Sequence, residues 1–377
     1  MRIAIVCYPT FGGSGVVATE LGIALADMGH EIHFITYKQP VKLELLSHQV
    51  HFHEVSVPEY PLFHYQPYEL ALSSKLVNVV KAHNIELLHV HYAIPHAYAG
   101  YMAKQMLAES GIHIPMVTTL HGTDITLVGN HPFYKPAVTF SINKSNAVTS
   151  VSQSLKDDTL KLFTIKKEIH VIPNFIDLEK YNNLPALCDR SAMAEDHERI
   201  VTHVSNLRSV KRPGDVVAIF DRIQKELPAK LIIVGDGPEK EAMKQQTLAL
   251  GIRDKVYFMG NSDEVHKILC FSDLFLLPSE KESFGLSALE AMASSVPVVS
   301  SNVGGLPEVN KQGVSGYLDA VGNIDGMANH AIAILRDLET LNQFKKQASV
   351  VAQAFDLHAI VPLYLTLYQE TLHHFKR

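Results

Sequence analysis

The stretch EKESFGLSALEAM, at residues 280–292, carries two carboxylates whose spacing could serve chemistry. Glu282 and Glu290 lie eight positions apart around a Phe-Gly pair. Two carboxylates can act as the acid and base of a glycoside hydrolase, or they can accept hydrogen bonds from the hydroxyls of a bound nucleotide sugar. They can also stand on an ordinary solvated helix with acids near its start. The spacing alone leaves these three interpretations open.

The segment before these acids predicts how they are presented. DLFLLPS, residues 273–279, is typical of a buried strand, so we expect a loop and then a helix that begins near Phe284 or Gly285, with Ser283 as its N-cap. Glu282 would lie at the mouth of this helix, and Glu290 about 7 Å beyond its start at roughly 1.5 Å per residue. Free amides between the two acids would attract a phosphate. This context favours a ligand held by both carboxylates over an acid–base pair.

A cluster of cations follows another predicted strand. In HVSNLRSVKRPGD, Arg208, Lys211 and Arg212 precede a helix that begins near Pro213. Arginine can hold a diphosphate through two donors and lysine as a point charge, whereas three cations in five residues can also form a solvated basic turn. The loop VGDGPEK places Gly235 in a turn where a ligand could approach the backbone closely.

A glycine-rich turn, GGSG at residues 12–15, follows the first predicted strand and precedes a helix. Glycines around Ser14 allow close approach of a ligand, and amides at a helix start favour anions. The spacing from Gly13 also satisfies the relaxed dinucleotide fingerprint of nicotinamide enzymes. That fingerprint expects an acid at the end of the next strand, where this chain has Tyr37 and Lys38. A tight turn without a ligand is a third interpretation.

Histidine is plentiful, at 21 residues. HVHYAIPHA places His89 and His91 on one face of a predicted strand with His96 nearby, but no H-E-x-x-H or Cys/His spacing supports a zinc site, and core or cleft histidines are the alternative. In TTLHGTD, His121 follows a strand directly into a glycine turn. No D-x-D pair could hold a divalent metal against a diphosphate. We therefore expect neither a metal nor another cofactor.

The rest of the sequence predicts the elements that must position these residues. Apolar, β-rich runs alternate with segments of helical periodicity, which predicts parallel, doubly wound sheets with ligands beyond the carboxyl ends of the strands. The polar stretch 174–198 interrupts this rhythm, so we predict two α/β domains, 1–173 and 199–356, joined by a linker and facing each other across a cleft. The tail, 357–377, is helical in composition, and Pro362 predicts a break or kink in it. The β-rich runs are at 2–8, 31–36, 51–57, 86–92, 115–120, 147–152, 169–173, 199–205, 230–235, 255–260, 273–279, 296–301 and 316–320.

Composition limits the classes of function. With 377 residues and 47% hydrophobic residues, the chain can bury two cores. The formal charge is −6 and the basic residues are scattered, which disfavours nucleic acid as a partner. The three cysteines are far apart, so we expect no disulfide framework. No signal-peptide core or run of about 20 apolar residues is present, so we expect a cytoplasmic protein without a membrane partner. A homo-oligomer remains open.

Taken together, these motifs resemble a known family. ESFGLSALE resembles the E-(x)7-E motif of the retaining GT-B glycosyltransferases of family 4, and GGSG, HGTD, SNLRSVKR and GDGPE occur in the order this family requires. The resemblance implies two Rossmann-like domains, with the acceptor bound by 1–173, the UDP-sugar bound by 199–356, and a last helix, 357–377, crossing back to the first domain. It also implies metal-independent transfer in which the leaving diphosphate takes the acceptor proton, so that no protein nucleophile is needed.

Longer stretches narrow the expected substrates. CYPTFGGSGVVATELG, GHEIHFIT, HYAIPHA, TTLHGTDIT and SEKESFGL are similar to family members that transfer N-acetylglucosamine from UDP-N-acetylglucosamine to L-malate, the first step of bacillithiol biosynthesis. The alternatives are another acceptor, such as an inositol phosphate or a lipid, and a non-catalytic sugar-nucleotide-binding protein. A lipid acceptor would favour a basic, aromatic amphipathic helix, whereas the segment 69–84 carries only Lys75 and Lys81.

The resemblance further implies roles for individual residues. Glu290 would bind the ribose hydroxyls, and Glu282 the sugar hydroxyls. Arg208 and Lys211 would stabilise the charge that grows on the diphosphate. The other implied donor contacts are the amides of Phe284 and Gly285, with Gly235 in its turn and Gly13 on the opposite wall. His121 would line the sugar near the reacting carbon, and the implied acceptor contacts are Ser14, Tyr92, Thr119 and Thr123.

Overall fold

The structure is a computed structural model that describes residues 1–10, 13–40, 43, 48–57, 59, 65–182, 188, 190–191 and 193–376. The chain divides into two compact units. Unit 1 comprises Met1–Asn174 and Leu357–Arg377, and unit 2 comprises Phe175–Asp356. The stretch predicted as a linker, 174–198, thus belongs to unit 2 from its second residue onward.

Unit 1 is built on a parallel sheet of seven strands with helices between them. The strands are β1 (Arg2–Val6), β2 (Glu31–Thr36), β3 (Val50–Glu54), β4 (Leu87–His91), β5 (Met116–Leu120), β6 (Ala147–Ser150) and β7 (Ile169–Val171). The helices are α1 (Ser14–Asp27), α2 (Tyr68–His83), α3 (Tyr98–Ala108), α4 (Lys135–Lys144) and α5 (Gln153–Leu162). The strand order β3-β2-β1-β4-β5-β6-β7 reverses direction between β1 and β4.

Unit 2 repeats this plan with six parallel strands. They are β8 (Arg199–Val204), β9 (Ala229–Val234), β10 (Val256–Gly260), β11 (Leu274–Leu277), β12 (Val298–Ser301) and β13 (Gly316–Asp319). The helices are α6 (Glu179–Asn182), α7 (Pro213–Glu226), α8 (Lys240–Ala249), α9 (Val265–Leu269), α10 (Leu286–Ala293), α11 (Leu306–Val309), α12 (Ile324–Leu335) and α13 (Leu338–Ala352). The order β10-β9-β8-β11-β12-β13 reverses between β8 and β11.

The predicted doubly wound architecture is confirmed in both units. Each of the β-rich runs overlaps one strand, because a sheet covered by helices on both faces needs continuous apolar strands. In β1, for example, Ile3, Ala4, Ile5 and Val6 are all fully buried. The reversal of strand order in each sheet opens a crevice beyond the carboxyl ends of its two middle strands, where ligands of such folds bind.

The chain ends in α14 (Leu357–Phe375), which belongs to unit 1. Of the break or kink predicted at Pro362, the break is wrong, because the helix continues through this residue. Proline there removes only one backbone hydrogen bond close to the helix start. Buried Tyr364 and Tyr368 hold the helix in place, and the Tyr368 hydroxyl lies 2.7 Å from Nδ1 of His89.

Cysteine pairing differs from the prediction. Cys188 and Cys270 form a disulfide with their Cα atoms 5.7 Å apart, although 82 positions separate them in the chain. This pair cannot be recognised in the sequence, because only the folded chain brings the segment before β8 to the end of α9. Cys7 is buried in unit 1, and burial raises its thiol pKa to about 12. No helix among the described residues has the length and apolar character required to cross a bilayer.

Candidate functional site

The loops after β8 and β11 meet where the strand order of unit 2 reverses. The amide of Glu280 donates a hydrogen bond to the carbonyl of Val210 over 2.8 Å, which fastens the two loops together. As a result, the ammonium of Lys211 forms an ion pair with a carboxylate oxygen of Glu282, although 71 positions separate the two residues. The Ser279 hydroxyl donates to the same oxygen over 3.2 Å. The fold thus joins two of the residues predicted to bind the donor.

A buried histidine supports the β8 loop. The ring of His203 donates from Nδ1 to the carbonyl of Leu276 over 2.8 Å, so Nε2 is free to accept from the Ser205 hydroxyl, also at 2.8 Å. Ser205 Oγ in turn accepts from the amide of Leu207 at 3.2 Å. Burial, with a smaller effect from Lys211, lowers the pKa of His203 to about 4. A neutral imidazole therefore holds the turn that carries the cations.

The three cations of this turn have different environments. Arg208 is exposed at the start of a short 3-10 turn, Ser209–Lys211. Arg212 pairs with Asp215 in the first turn of α7, with Nε 2.6 Å from Oδ2. The predicted helix start at Pro213 is confirmed. Arg212 and Lys211 thus each pair with an acid, Asp215 and Glu282, whereas Arg208 is exposed.

Glycines allow close approach of the loops in unit 2. Gly235 has φ +118, and a Cβ there would lie 1.8 Å from the carbonyl oxygen of Ser205. A Cβ at Gly304 would lie 1.8 Å from the carbonyl oxygen of Glu282. The amide of Gly305 donates to that same oxygen at 3.0 Å, which fixes the backbone of Glu282. Sequence analysis did not predict that Gly304 and Gly305 approach the backbone of Glu282. The sequence feature that indicates it is the Gly-Gly pair after the predicted strand at 296–301.

The helix that carries the second acid begins later than predicted. α10 starts at Leu286, with Gly285 at its N-cap position and φ +100. The N-cap role predicted for Ser283 is wrong, because the left-handed backbone of the glycine starts the helix without a side-chain cap. The Phe284 ring is buried and lies 5.6 Å from the ring of Phe355, so its side chain packs in the core. Glu290 is half-buried within α10.

In unit 1, the loops after β1 and β4 meet at the corresponding reversal of strand order. The Ser14 and Tyr92 hydroxyls lie 2.5 Å apart. The Tyr92 amide donates to the carbonyl of Thr119 over 2.8 Å, and Tyr92 adopts φ +84, which directs the backbone sharply away from the strand. Gly13 is exposed at the start of α1 with φ +61. Gly12 lies outside the described residues.

Histidines line the β4 and β5 ends. His121 Nε2 lies 2.8 Å from Nδ1 of His91, and the two rings stack. Nδ1 of His96 donates to the His91 carbonyl over 2.6 Å. Desolvation lowers the pKa of His121 to about 3, with a further effect from His96, and it lowers the pKa of His91 well below its usual value. All three rings are therefore neutral near pH 7, and His121 can take part in hydrogen bonds but carries no charge.

Asp124 shapes the same region and was missed by sequence reasoning. Its buried carboxylate accepts hydrogen bonds from the amides of Ala93 at 2.8 Å, Gly122 at 3.0 Å and His121 at 3.3 Å. Burial raises its pKa to about 6. The acid fastens the β4 loop to the β5 loop. Its signal in the sequence is the acid that closes HGTD, since Asp often bonds to backbone amides just before it in turns.

Thr119, one of the predicted acceptor contacts, lies inside the sheet. It is fully buried, and its hydroxyl lies 2.7 Å from both His89 Nε2 and Thr149 Oγ1, so the sheet uses it internally. The contact of Thr119 with the acceptor stays a prediction. Thr123 is exposed beside the glycine turn. The zinc interpretation of the histidines on β4 is disfavoured, because both ring nitrogens of His89 already have partners.

Comparison with known proteins adds independent findings. The model of the glycosyltransferase family 4 matches residues 11–180, and that of the glycosyl transferases group 1 matches residues 189–350. The N-acetyl-alpha-D-glucosaminyl L-malate synthase of Bacillus anthracis is 47% identical over 375 residues, which are 99% of this chain and 97% of that protein. The 2-deoxystreptamine N-acetyl-D-glucosaminyltransferase of Niallia circulans is 26% identical over 95% of this chain and 97% of its own. Among solved structures, Anabaena HepE in complex with UDP-glucose has a TM-score of 0.82 at 22% identity, with 98% of this chain and 100% of that chain covered.

Proposed function

This chain belongs to the glycosyltransferases of family 4, with the GT-B fold, and we propose that it moves N-acetylglucosamine from UDP-N-acetylglucosamine to the hydroxyl of L-malate. The observation that carries this proposal is the 47% identity over 99% of the chain to a synthase whose name gives both the sugar and the acceptor. The reaction would begin bacillithiol biosynthesis in the cytoplasm, with small molecules as substrates and no nucleic acid or membrane partner.

Unit 2 would hold the donor. The charge of Lys211 is met by Glu282, and both side chains are largely withdrawn from water, at 21% and 10% exposure. A bound diphosphate would form ion pairs with Lys211 and with the exposed Arg208. Glu282 would then accept hydrogen bonds from the sugar hydroxyls. Charges in such a partly dry site act more strongly than in water. Glu290 would accept from the ribose hydroxyls, and the amides of Phe284 and Gly285 would face the phosphates.

Unit 1 would hold the acceptor. L-malate is a small dianion, so it needs hydrogen-bond donors and little apolar surface. Ser14, Tyr92 and Thr123 offer hydroxyls for this purpose. We propose that Thr119 supports this wall from inside the sheet, through its hydrogen bond to His89.

The chemistry would proceed without a protein base. The bond between the anomeric carbon and the diphosphate oxygen breaks, the malate oxygen bonds to the same face of that carbon, and the malate proton passes to the departing diphosphate. Desolvation lowers the pKa of His121 to about 3, so its ring is a poor proton acceptor and serves to line the sugar. Arg208 and Lys211 would stabilise the charge on the leaving group, which removes the need for a metal ion.

The proposal is tested by initial rates of UDP release from UDP-N-acetylglucosamine. The purified chain is given L-malate, D-malate, an inositol phosphate or no acceptor, each with and without a chelator. We expect release that depends on L-malate and is unchanged by the chelator. Release at the same rate without L-malate would refute the acceptor assignment. Loss of release in the chelator would refute the metal-free mechanism.

A further inference from the structure

A second group of histidines lies in unit 1, away from the residues of the proposed transfer site. β2 and β3 pair in parallel, with His33 opposite His51 and Ile35 opposite His53. Alternate residues of a strand point to the same face, so these histidines share one face of the sheet with Glu31. His83, the last residue of α2, approaches them, with its ring centroid 4.6 Å from that of His33 and 5.0 Å from that of His53.

Three of these side chains converge on one point. Nδ1 of His33 lies 2.9 Å from Nε2 of His53. His33, His53 and His83 each offer one nitrogen, and these three atoms all lie within 4.8 Å of one another. Zinc binds imidazole nitrogens at about 2.0–2.1 Å in tetrahedral geometry, which separates neighbouring ligand atoms by roughly 3.4 Å. Small side-chain rotations would bring the three nitrogens to that spacing.

The groups around His33 orient its ring to bind a metal ion. Its Nε2 lies 3.0 Å from a carboxylate oxygen of Glu31, which can only accept, so Nε2 carries the proton and the lone pair of Nδ1 faces His53. A carboxylate that accepts from the far nitrogen of a histidine is the usual support of a metal ligand.

We propose that His33, His53 and His83 bind one divalent transition-metal ion, for which Zn²⁺ is the best match, with Glu31 orienting His33. Three imidazoles and an open fourth position suit Zn²⁺, Co²⁺ or Ni²⁺, whereas Mg²⁺ and Ca²⁺ prefer oxygen ligands. Glu31 and His33 lie on β2, His53 lies on β3 and His83 ends α2, whereas the transfer residues proposed in unit 1 follow β1, β4 and β5. The ion would therefore tie the outermost strand of the sheet to β2 and α2 and stabilise unit 1, without a part in the transfer.

The test is a calorimetric titration of the untagged, metal-stripped chain with Zn²⁺. We expect one ion per chain, and Co²⁺ at the same site should give the visible absorption of a tetrahedral complex. His53→Gln and His83→Gln each remove one ligand at a half-buried position and should weaken binding at least about 10-fold. Glu31→Gln should weaken it about 10- to 100-fold, as is typical for residues that support metal ligands. His113→Gln, at an exposed histidine outside the cluster, is the matched control and should bind as the unaltered chain does.

Circular dichroism and the thermal midpoint establish that each variant is folded. Zn²⁺ should raise the midpoint of the unaltered chain and of His113→Gln but not that of His53→Gln, because only a ligand that binds the folded state stabilises it. Absence of a bound ion in the folded, unaltered chain would overturn the proposal. So would equal Zn²⁺ affinity in His53→Gln and His113→Gln. Transfer activity should not change with Zn²⁺ occupancy, so the metal site can fail while the transfer function stands.

Discussion

Lys211 and Glu282 form an ion pair at the reversal of strand order in unit 2, with both side chains largely buried. Withdrawing two charges from water costs about as much as their attraction returns, so such a pair is a weak source of stability. Its value in this fold is positional, because it holds a cation and an acid beside each other at the place where nucleotides bind in doubly wound sheets.

Replacement of Lys211 by Ala should reduce kcat/KM for transfer by about 10²–10³-fold, the usual effect of removing one group that stabilises charge in a transition state. Initial rates of UDP release measure it. Lys244→Ala is the matched control, since Lys244 also pairs with an acid, Glu241, but at the surface of α8. Its rate should stay within about 2-fold of the unaltered chain. Equal losses in the two variants would contradict the assigned role of Lys211.

Substitutions of the two acids in the ESFGLSALE motif, Glu282 and Glu290, should have different effects. Glu290→Ala should weaken UDP binding, because the ribose hydroxyls lose their acceptor, whereas Glu282→Gln should bind UDP nearly normally and lose turnover with the complete donor. Calorimetry with UDP and rate measurements with UDP-N-acetylglucosamine distinguish these effects. Glu241→Ala, on the exposed side of α8, serves as the control. If both variants bound UDP normally and lost only turnover, an acid–base pair would be the better explanation.

Variants of Ser14 and Tyr92, whose hydroxyls lie 2.5 Å apart, test the proposed acceptor site. Tyr92→Phe and Ser14→Ala should each raise the KM for L-malate about 3- to 10-fold, the range expected for loss of one hydrogen bond, with little change in UDP affinity. The double variant should show less than the product of the two effects, because the residues share one interaction. Tyr134→Phe alters an exposed tyrosine and should change nothing. A rise in the dissociation constant for UDP would instead place this pair at the donor.

Acid should destabilise the fold. Burial holds the pKa of His203 near 4, below the ordinary 6.5, so the unfolded chain gains a proton between pH 6.5 and 4 that the folded chain does not. The contribution of His203 to the free energy of unfolding is complete above pH 6.5. Between pH 6.5 and 4 it falls by about 1.4 kcal/mol for each pH unit. Asp124 opposes this trend, because burial raises its pKa to about 6 and the folded chain keeps its proton up to that pH. The effect of the buried histidines on stability should exceed that of Asp124, because there are several of them. Besides His203, they are His89, His91, His96 and His121.

Urea unfolding at pH 7 and pH 5 measures this effect. The midpoint should be lower at pH 5, and His203→Gln should show a smaller shift between the two pH values because it lacks one of the titrating groups. A midpoint that is equal or higher at pH 5 would show that these rings are not held neutral by the fold.

The sequence predicted the strands well because their signals are local. Apolar runs, glycine turns and the cations after β8 can each be recognised within about ten residues. The pairing of Lys211 with Glu282 was not predicted, because it depends on neighbouring strands of a doubly wound sheet bringing their loops together. Glycine at the N-cap of α10 was misjudged, because Ser283 is the better capping residue by composition whereas backbone geometry favours Gly285.

Contacts between distant segments could not be predicted in this way. The Cys188–Cys270 disulfide and the burial of the Thr119 hydroxyl depend on which segments the folded units bring together. The cluster around His33 has the same origin, because its ligands come from two strands and the end of a helix. Alternation along β2 and β3 indicates which side chains share a face, but only the register of the two strands aligns them.

The most direct test of the central claim is identification of the product made from UDP-N-acetylglucosamine and L-malate, by mass spectrometry and proton NMR. The account predicts one molecule of N-acetylglucosaminyl malate for each UDP released, with the sugar attached through the malate hydroxyl in the α configuration of the donor, in equal yield with and without chelator. UDP accompanied by free N-acetylglucosamine, or a β-linked product, would contradict it.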